Sequence, residues 1–157
     1  MGMDVYGKSP RTDTGEYFRN NVWWWHPLWT FCCEVAPRLT DKVAHGHSND
    51  GDGLSDEDSV RLAEAITTWI DDGRAQQYVE LRQKWLDELP LLECKYCEGT
   101  GTRHDGKEIG RPEPDFQCNA CHGFGKVQDW QCNYSIDVDN ITKFRDFLLD
   151  CGGFEIC

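Results

Sequence analysis

The sequence predicts an α+β fold of about four helices and a small antiparallel sheet, with a cysteine-rich hairpin inserted. Three observations carry this. Apolar residues recur at helical spacing in four segments. Short β-prone segments stand near both ends of the chain. Between the third and fourth helical segments, C-x-x-C-x-G-x-G occurs twice.

The elements follow in order. Met3–Tyr6 reads as a short strand, followed by a polar, turn-rich stretch from Gly7 to Gly15. Tyr17 to Trp25 is aromatic-rich and contains Trp23-Trp24-Trp25. In a strand, Trp24 would point away from its two neighbours. The segment is then buried on both sides, or it presents an indole to a partner, so Trp23, Trp24 and Trp25 are candidate partner-binding residues. Pro27 suits the first position of a helix. Leu28, Phe31, Cys32 and Val35 give that helix one apolar face, and Pro37 ends it.

Residues 45–54 form a loop. Aligned as a calcium loop, it has Ser48, Ser55 and Ser59 where an acidic ligand, an apolar residue and a bidentate glutamate belong, so a turn capping an acidic helix is the better reading. Ser55 is a cap, with Asp56-Glu57-Asp58 favoured in the first turn by the helix dipole. Leu62, Ala63, Ile66, Trp69 and Ile70 form the inner face, and Gly73 is the stop. A further helix over Arg74–Leu89 carries Tyr78, Leu81, Trp85 and Leu89 on its face, making an antiparallel hairpin with the one before. After the cysteine module, Trp130, Cys132, Tyr134 and Ile136 alternate with polar residues as in a half-buried strand. Asp139 caps a last helix with Ile141, Phe144, Phe147 and Leu148 inside, and Gly152-Gly153 stops it. Phe154–Ile156 closes the sheet beside Met3–Tyr6. Residues 1–157 are read as one domain, with the module inserted at about 93–127.

The chemistry lies in the repeat. Cys94-Lys-Tyr-Cys97-Glu-Gly99-Thr-Gly101 matches Cys118-Asn-Ala-Cys121-His-Gly123-Phe-Gly125, and 20 residues separate the two cysteine pairs. Each pair can aim two thiolates at one ion, and two pairs complete a tetrahedron around zinc. Gly99, Gly101, Gly123 and Gly125 suit the sharp bends of two matched zinc knuckles. Four thiolates leave no open position, so one structural zinc is expected in a zinc-ribbon hairpin, and Thr102–Gln117 is expected to be its exposed tip. The other reading is two disulfides or buried thiols. Nine cysteines cannot all pair within the chain, and the start has neither a basic nor an apolar leader segment. A reducing, cytoplasmic setting is therefore expected.

The repeat resembles the cysteine-rich domain of DnaJ-type chaperones (J-proteins), over residues 94–125 only. In that family four repeats bind two zinc ions, so the resemblance implies one zinc here, on Cys94, Cys97, Cys118 and Cys121. The remainder departs from the family: its His-Pro-Asp triplet has only His26-Pro27-Leu28 as a counterpart. The opening and the ending look loosely like small uncharacterised bacterial and phage proteins.

Of the net charge of −12, residues 45–93 carry −8, from four basic and twelve acidic side chains. Such a surface repels phosphate backbones and suits a basic partner. No apolar run is long enough to span a membrane. Cys32, Cys33, Cys132 and Cys151 read as mostly buried thiols, and Cys157 as an exposed one. A second metal site using His45 and His47 with one of these cysteines is a minor reading. No phosphate loop, dinucleotide fingerprint or serine elbow is present. The expected function is a non-catalytic, zinc-stabilised adaptor or inhibitor, of a kind that a phage would carry to act on a host protein. The alternatives are a client-binding holdase, a thiol–disulfide oxidoreductase, or an enzyme whose active site has no local signature.

Overall fold

The computed structural model describes residues 2–103 and 116–157. Among them are five α-helices, a three-stranded antiparallel sheet and a two-stranded one, so the α+β class holds. The chain divides into two compact units, Met1–Gln83 with Asn133–Cys157, and Lys84–Cys132.

In the first unit, β1 (Gly2–Gly7) is the central strand. It pairs with β2 (Tyr17–Asn21), Val5 opposite Phe18, and with β5 (Phe154–Ile156), Val5 opposite Ile156. The predicted pairing of the two ends is therefore present. The outer edge of β5 is covered by the 51–54 segment: Gly51 N–H donates to Ile156 O, and Ile156 N–H to Asp52 O.

Helix α1 spans Val22–Val35 and so begins before Pro27. The side chain of Asn21 accepts from the N–H groups of Trp23 and Trp24 and sets the start. This corrects the expectation of an extended Trp23–Trp25 and of Pro27 as first residue. Proline inside a helix orphans the carbonyl four residues back. Here that carbonyl, Trp23 O, accepts from Ser135 N–H at 3.1 Å, so the proline is tolerated. A single turn, α2 (Pro37–Thr40), follows.

Helix α3 (Asp56–Asp71) starts at Ser55, whose side chain accepts from Asp58 N–H as predicted. It packs against α5 (Val138–Asp150) and α1 rather than along α4 (Arg74–Asp87), so the expected antiparallel hairpin does not form a packed pair. On α4 the buried side is Ala75 and Leu86, with Tyr78 and Val79 half-buried, while Leu81 and Trp85 are exposed. The predicted face was thus rotated: only Tyr78, and Leu89 just past the helix, lie partly inward. Helix α5 is capped by Asp137, which accepts from Asn140 N–H at 2.7 Å, two residues before the predicted Asp139. Its inner residues Ile141, Phe144, Phe147 and Leu148 are buried as expected.

The core of this unit is aromatic. Trp25, Phe31, Phe144, Phe147 and Phe154 are fully buried, and Trp25 stacks on Trp29 at 5.8 Å between ring centroids. No helix among the described residues is long and apolar enough to cross a membrane.

The second unit contains β3 (Leu92–Glu93) and β4 (Lys126–Val127), with Leu92 opposite Val127. Residues Trp130–Asn133 form a 3-10 turn instead of the predicted strand. Asp129 dictates this locally: its side chain accepts from Gln131 N–H and its carbonyl from Cys132 N–H. Trp130 is 62% exposed in consequence.

Candidate metal centre

Each C-x-x-C-x-G-x-G segment folds the same way. The residue after the second cysteine, Glu98 or His122, has φ near +50°, and the four glycines have φ between 72° and 82°. The chain thereby wraps back so that Gly101 N–H points at Cys97 Sγ (3.3 Å) and Gly125 N–H at Cys121 Sγ (3.2 Å). Such N–H donors stabilise sulfur that carries negative charge.

The two segments also hold each other. Cys94 N–H donates to Gly125 O at 2.9 Å, and Cys118 N–H donates to Gly101 O at 2.8 Å. The approach is close. A Cβ on Gly101 would lie 2.3 Å from Gly123 O, and one on Gly125 would lie 2.1 Å from Gly99 O. The glycines at these two positions are thus required twice over, by φ and by space.

This symmetry converges the four cysteines. Cys94, Cys97, Cys118 and Cys121 are buried, and their Sγ atoms all lie within 4.8 Å of one another. Cys94 Sγ and Cys118 Sγ are 3.9 Å apart, and Cys97 Sγ and Cys121 Sγ 3.6 Å. All nine cysteines are free thiols, so the disulfide reading is not what this structure contains. Four buried sulfurs at this spacing can hold a metal ion. Burial pushes the Cys97 thiol up to about 11. At Cys118 burial also acts upward, but the N–H groups of Cys121 and Ala120 outweigh it and bring the thiol down to about 7. Backbone dipoles therefore already favour thiolate at one corner of the cluster.

The other candidates fall elsewhere. The predicted tip 102–117 is closed at its base, where Thr102 bridges to Gln117 and Arg103 N–H donates to Phe116 O. Residues 104–115 lie outside the described residues. Trp23 is 41% exposed, edge-on to Tyr134 at 4.8 Å, and Trp24 is half-buried. Trp25 is fully buried and donates from Nε1 to Gly46 O at 2.8 Å, so it belongs to the core and is unavailable to a partner.

Among the described residues, no second group of three or more metal-ligating side chains converges. His47 instead meets His26, Nδ1 to Nδ1 at 2.9 Å, a contact that sequence spacing did not suggest. Asp52 turns inward to the N–H groups of His45 and Gly53, in keeping with a turn rather than a calcium loop. Cys32 and Cys151 are buried, Cys33 and Cys132 half-buried, and Cys157 exposed as expected. Partial desolvation and the charges of Glu155 and Asp4 raise the Cys157 thiol, which disfavours its thiolate.

No protein family matches the chain, and neither does any curated protein or solved structure.

Proposed function

We propose that Cys94, Cys97, Cys118 and Cys121 hold one structural zinc ion, and that the protein is a non-catalytic adaptor or inhibitor whose partner is another protein. The fit of the sulfur cluster carries the metal reading. A zinc–sulfur bond of about 2.3 Å requires sulfur–sulfur edges of about 3.8 Å in a tetrahedron. The edges of 3.9 and 3.6 Å lie close to that value, and all four Sγ atoms fall within 4.8 Å of one another. An all-thiolate set favours zinc over calcium or magnesium, and the resemblance of residues 94–125 to the J-protein repeat supports the same choice. With sulfur at all four corners, the site offers no position to a substrate or water.

The binding role rests on the surface of the same unit. Tyr96, Phe124 and Trp130 are 54%, 82% and 62% exposed. Large aromatics on a surface are the residues that anchor protein contacts. The acidic stretch 45–93 suits a partner with a basic surface. The same Phe124 exposure favours a second reading, a holdase for unfolded clients.

Elemental analysis of protein purified under reducing conditions should find one zinc per chain, lost together with thermal stability in Cys97→Ser. Folded wild-type protein with no zinc would remove the metal reading. Affinity capture with wild type and Phe124→Ala tests the binding role. The wild type should retain a single dominant protein in a salt-sensitive way, and Phe124→Ala should lose it while keeping its zinc. Suppressed aggregation of many clients without one dominant partner would select the holdase. A zinc-loaded protein that shows neither behaviour would sink both readings.

A further inference from the structure

Trp24 lines an open cleft of about 540 Å³ together with Gly2, Arg19, Asn20 and Asn21. That volume falls in the range of small-molecule sites, roughly 300–1,000 Å³. Its walls are the start of β1, the last residues of β2 and the first turn of α1. The amides that open α1 do not serve a ligand, because Asn21 Oδ1 already accepts from Trp23 and Trp24. A ligand here must be held by side chains.

The lining is one-sided chemically. It contains a guanidinium, two amides and an indole, and no acidic side chain. Arg19 Nε stands 3.4 Å from Asp4 Oδ1, which also accepts from the Tyr17 hydroxyl. The guanidinium lies over Gly2: a Cβ there would come to 3.0 Å from Arg19 Nε and Nη2. Glycine thus lets Arg19 lie across the cleft.

We propose that this cleft binds a small anion bearing a planar ring, of the size of a nucleoside 5′-monophosphate. The anionic group pairs with the Arg19 guanidinium, whose fork suits phosphate and carboxylate oxygens. The ring lies against the Trp24 indole. A nucleic-acid strand is a different matter: the net charge of −12 repels a polyanion, while one anionic group needs only one guanidinium.

The test is calorimetric titration of the full chain with adenosine monophosphate at low ionic strength, with the Trp24 indole N–H followed by NMR. Inorganic phosphate, adenosine and benzoate are the comparison ligands. Adenosine monophosphate should saturate one site and shift the Trp24 signal, with phosphate and adenosine each at least about tenfold weaker. Benzoate binding more tightly than adenosine monophosphate would keep the site and assign it to aromatic carboxylates. Arg19→Gln, at an exposed side chain, should retain the wild-type melting temperature and lose at least about tenfold in affinity. Trp24→Leu should abolish the preference over phosphate. No saturable binding of either ring-bearing anion at millimolar concentration would overturn the proposal, as would unchanged affinity in Arg19→Gln. Phosphate binding as tightly as adenosine monophosphate would overturn the role given to the ring.

Discussion

Two residue-level contacts have consequences that can be measured. The first is Gly101, which combines φ of 78° with a backbone oxygen 2.3 Å from where a Cβ would stand. Left-handed backbone alone costs an L-residue roughly 1–2 kcal/mol, and the clash with Gly123 O adds to it. Gly101→Ala should therefore weaken the cysteine module by more than about 1–2 kcal/mol, read as faster loss of the proposed zinc to a competing chelator, while Lys95→Ala leaves it unchanged. The second is the His26–His47 pair. Burial lowers the pKa of His26 from its ordinary 6.5, and burial together with the charge of His26 lowers that of His47. The folded protein then binds fewer protons than the unfolded chain, whose histidines titrate near 6.5. Stability is full above about pH 6.5 and falls as the pH drops through the lowered folded values. A melting-temperature profile from pH 7.5 to 5 should slope downward for wild type and flatten in His47→Gln. Parallel slopes would mean the pair contributes nothing.

At the scale of elements, legibility tracked how local the determining contact is. Helices α3 and α5 were readable because their apolar spacing lies within the segment, as does the Ser55 cap of α3; at α5 two nearby aspartates competed, and Asp137 rather than Asp139 is the cap. The start of α1 was not, because two signals competed. Pro27 suggested a first position, whereas Asn21 is the true cap, and the cost of an internal proline is relieved by Ser135, more than a hundred residues away. The face of α4 was misplaced because Leu81 and Trp85 look like core residues in any local pattern, yet the side turned inward is that of Ala75, Tyr78 and Val79. The alternation at 130–136 lost to Asp129, whose short side chain offers the backbone a turn. The convergence of Cys94, Cys97, Cys118 and Cys121 was the most legible part, since their spacing brings the four sulfurs together directly. The reciprocal Cys-to-Gly hydrogen bonds between the two segments were legible only as matched motifs. The cap assignment makes its own prediction. Asn21→Ala removes the acceptor for two amides and should cost about 0.5–2 kcal/mol. That lowers the melting temperature by about 2–4 °C per kcal/mol in a chain of this size. Asn21→Asp should retain most of the wild-type value, and equal melting of wild type and Asn21→Ala would remove Asn21 as the cap.

For the molecule as a whole, the two units differ in what holds them folded. Met1–Gln83 with Asn133–Cys157 buries a continuous set of large apolar side chains, among them Trp25, Phe31, Phe144, Phe147 and Phe154. Burial of each such side chain contributes roughly 1.5–3 kcal/mol, so this unit has a driving force of its own. In Lys84–Cys132 the buried side chains among the described residues are Leu86, Arg103 and the four cysteines, and its sheet is two residues per strand. An isolated two-stranded ribbon is marginal in water. On the zinc reading proposed above, the free energy that folds this unit comes largely from the metal bond, as it does in small zinc modules. Chelation therefore should not melt the protein as one body. Amide hydrogen exchange after treatment with a strong chelator should lose protection at Cys94 and Cys118, whose N–H groups donate to Gly125 and Gly101. Amides of α3 and α5 should keep theirs, and the near-ultraviolet signal of the buried tryptophans should persist. Loss of protection in both units at once would show that the aromatic core depends on the metal, and would make zinc the organiser of the whole fold rather than of one part.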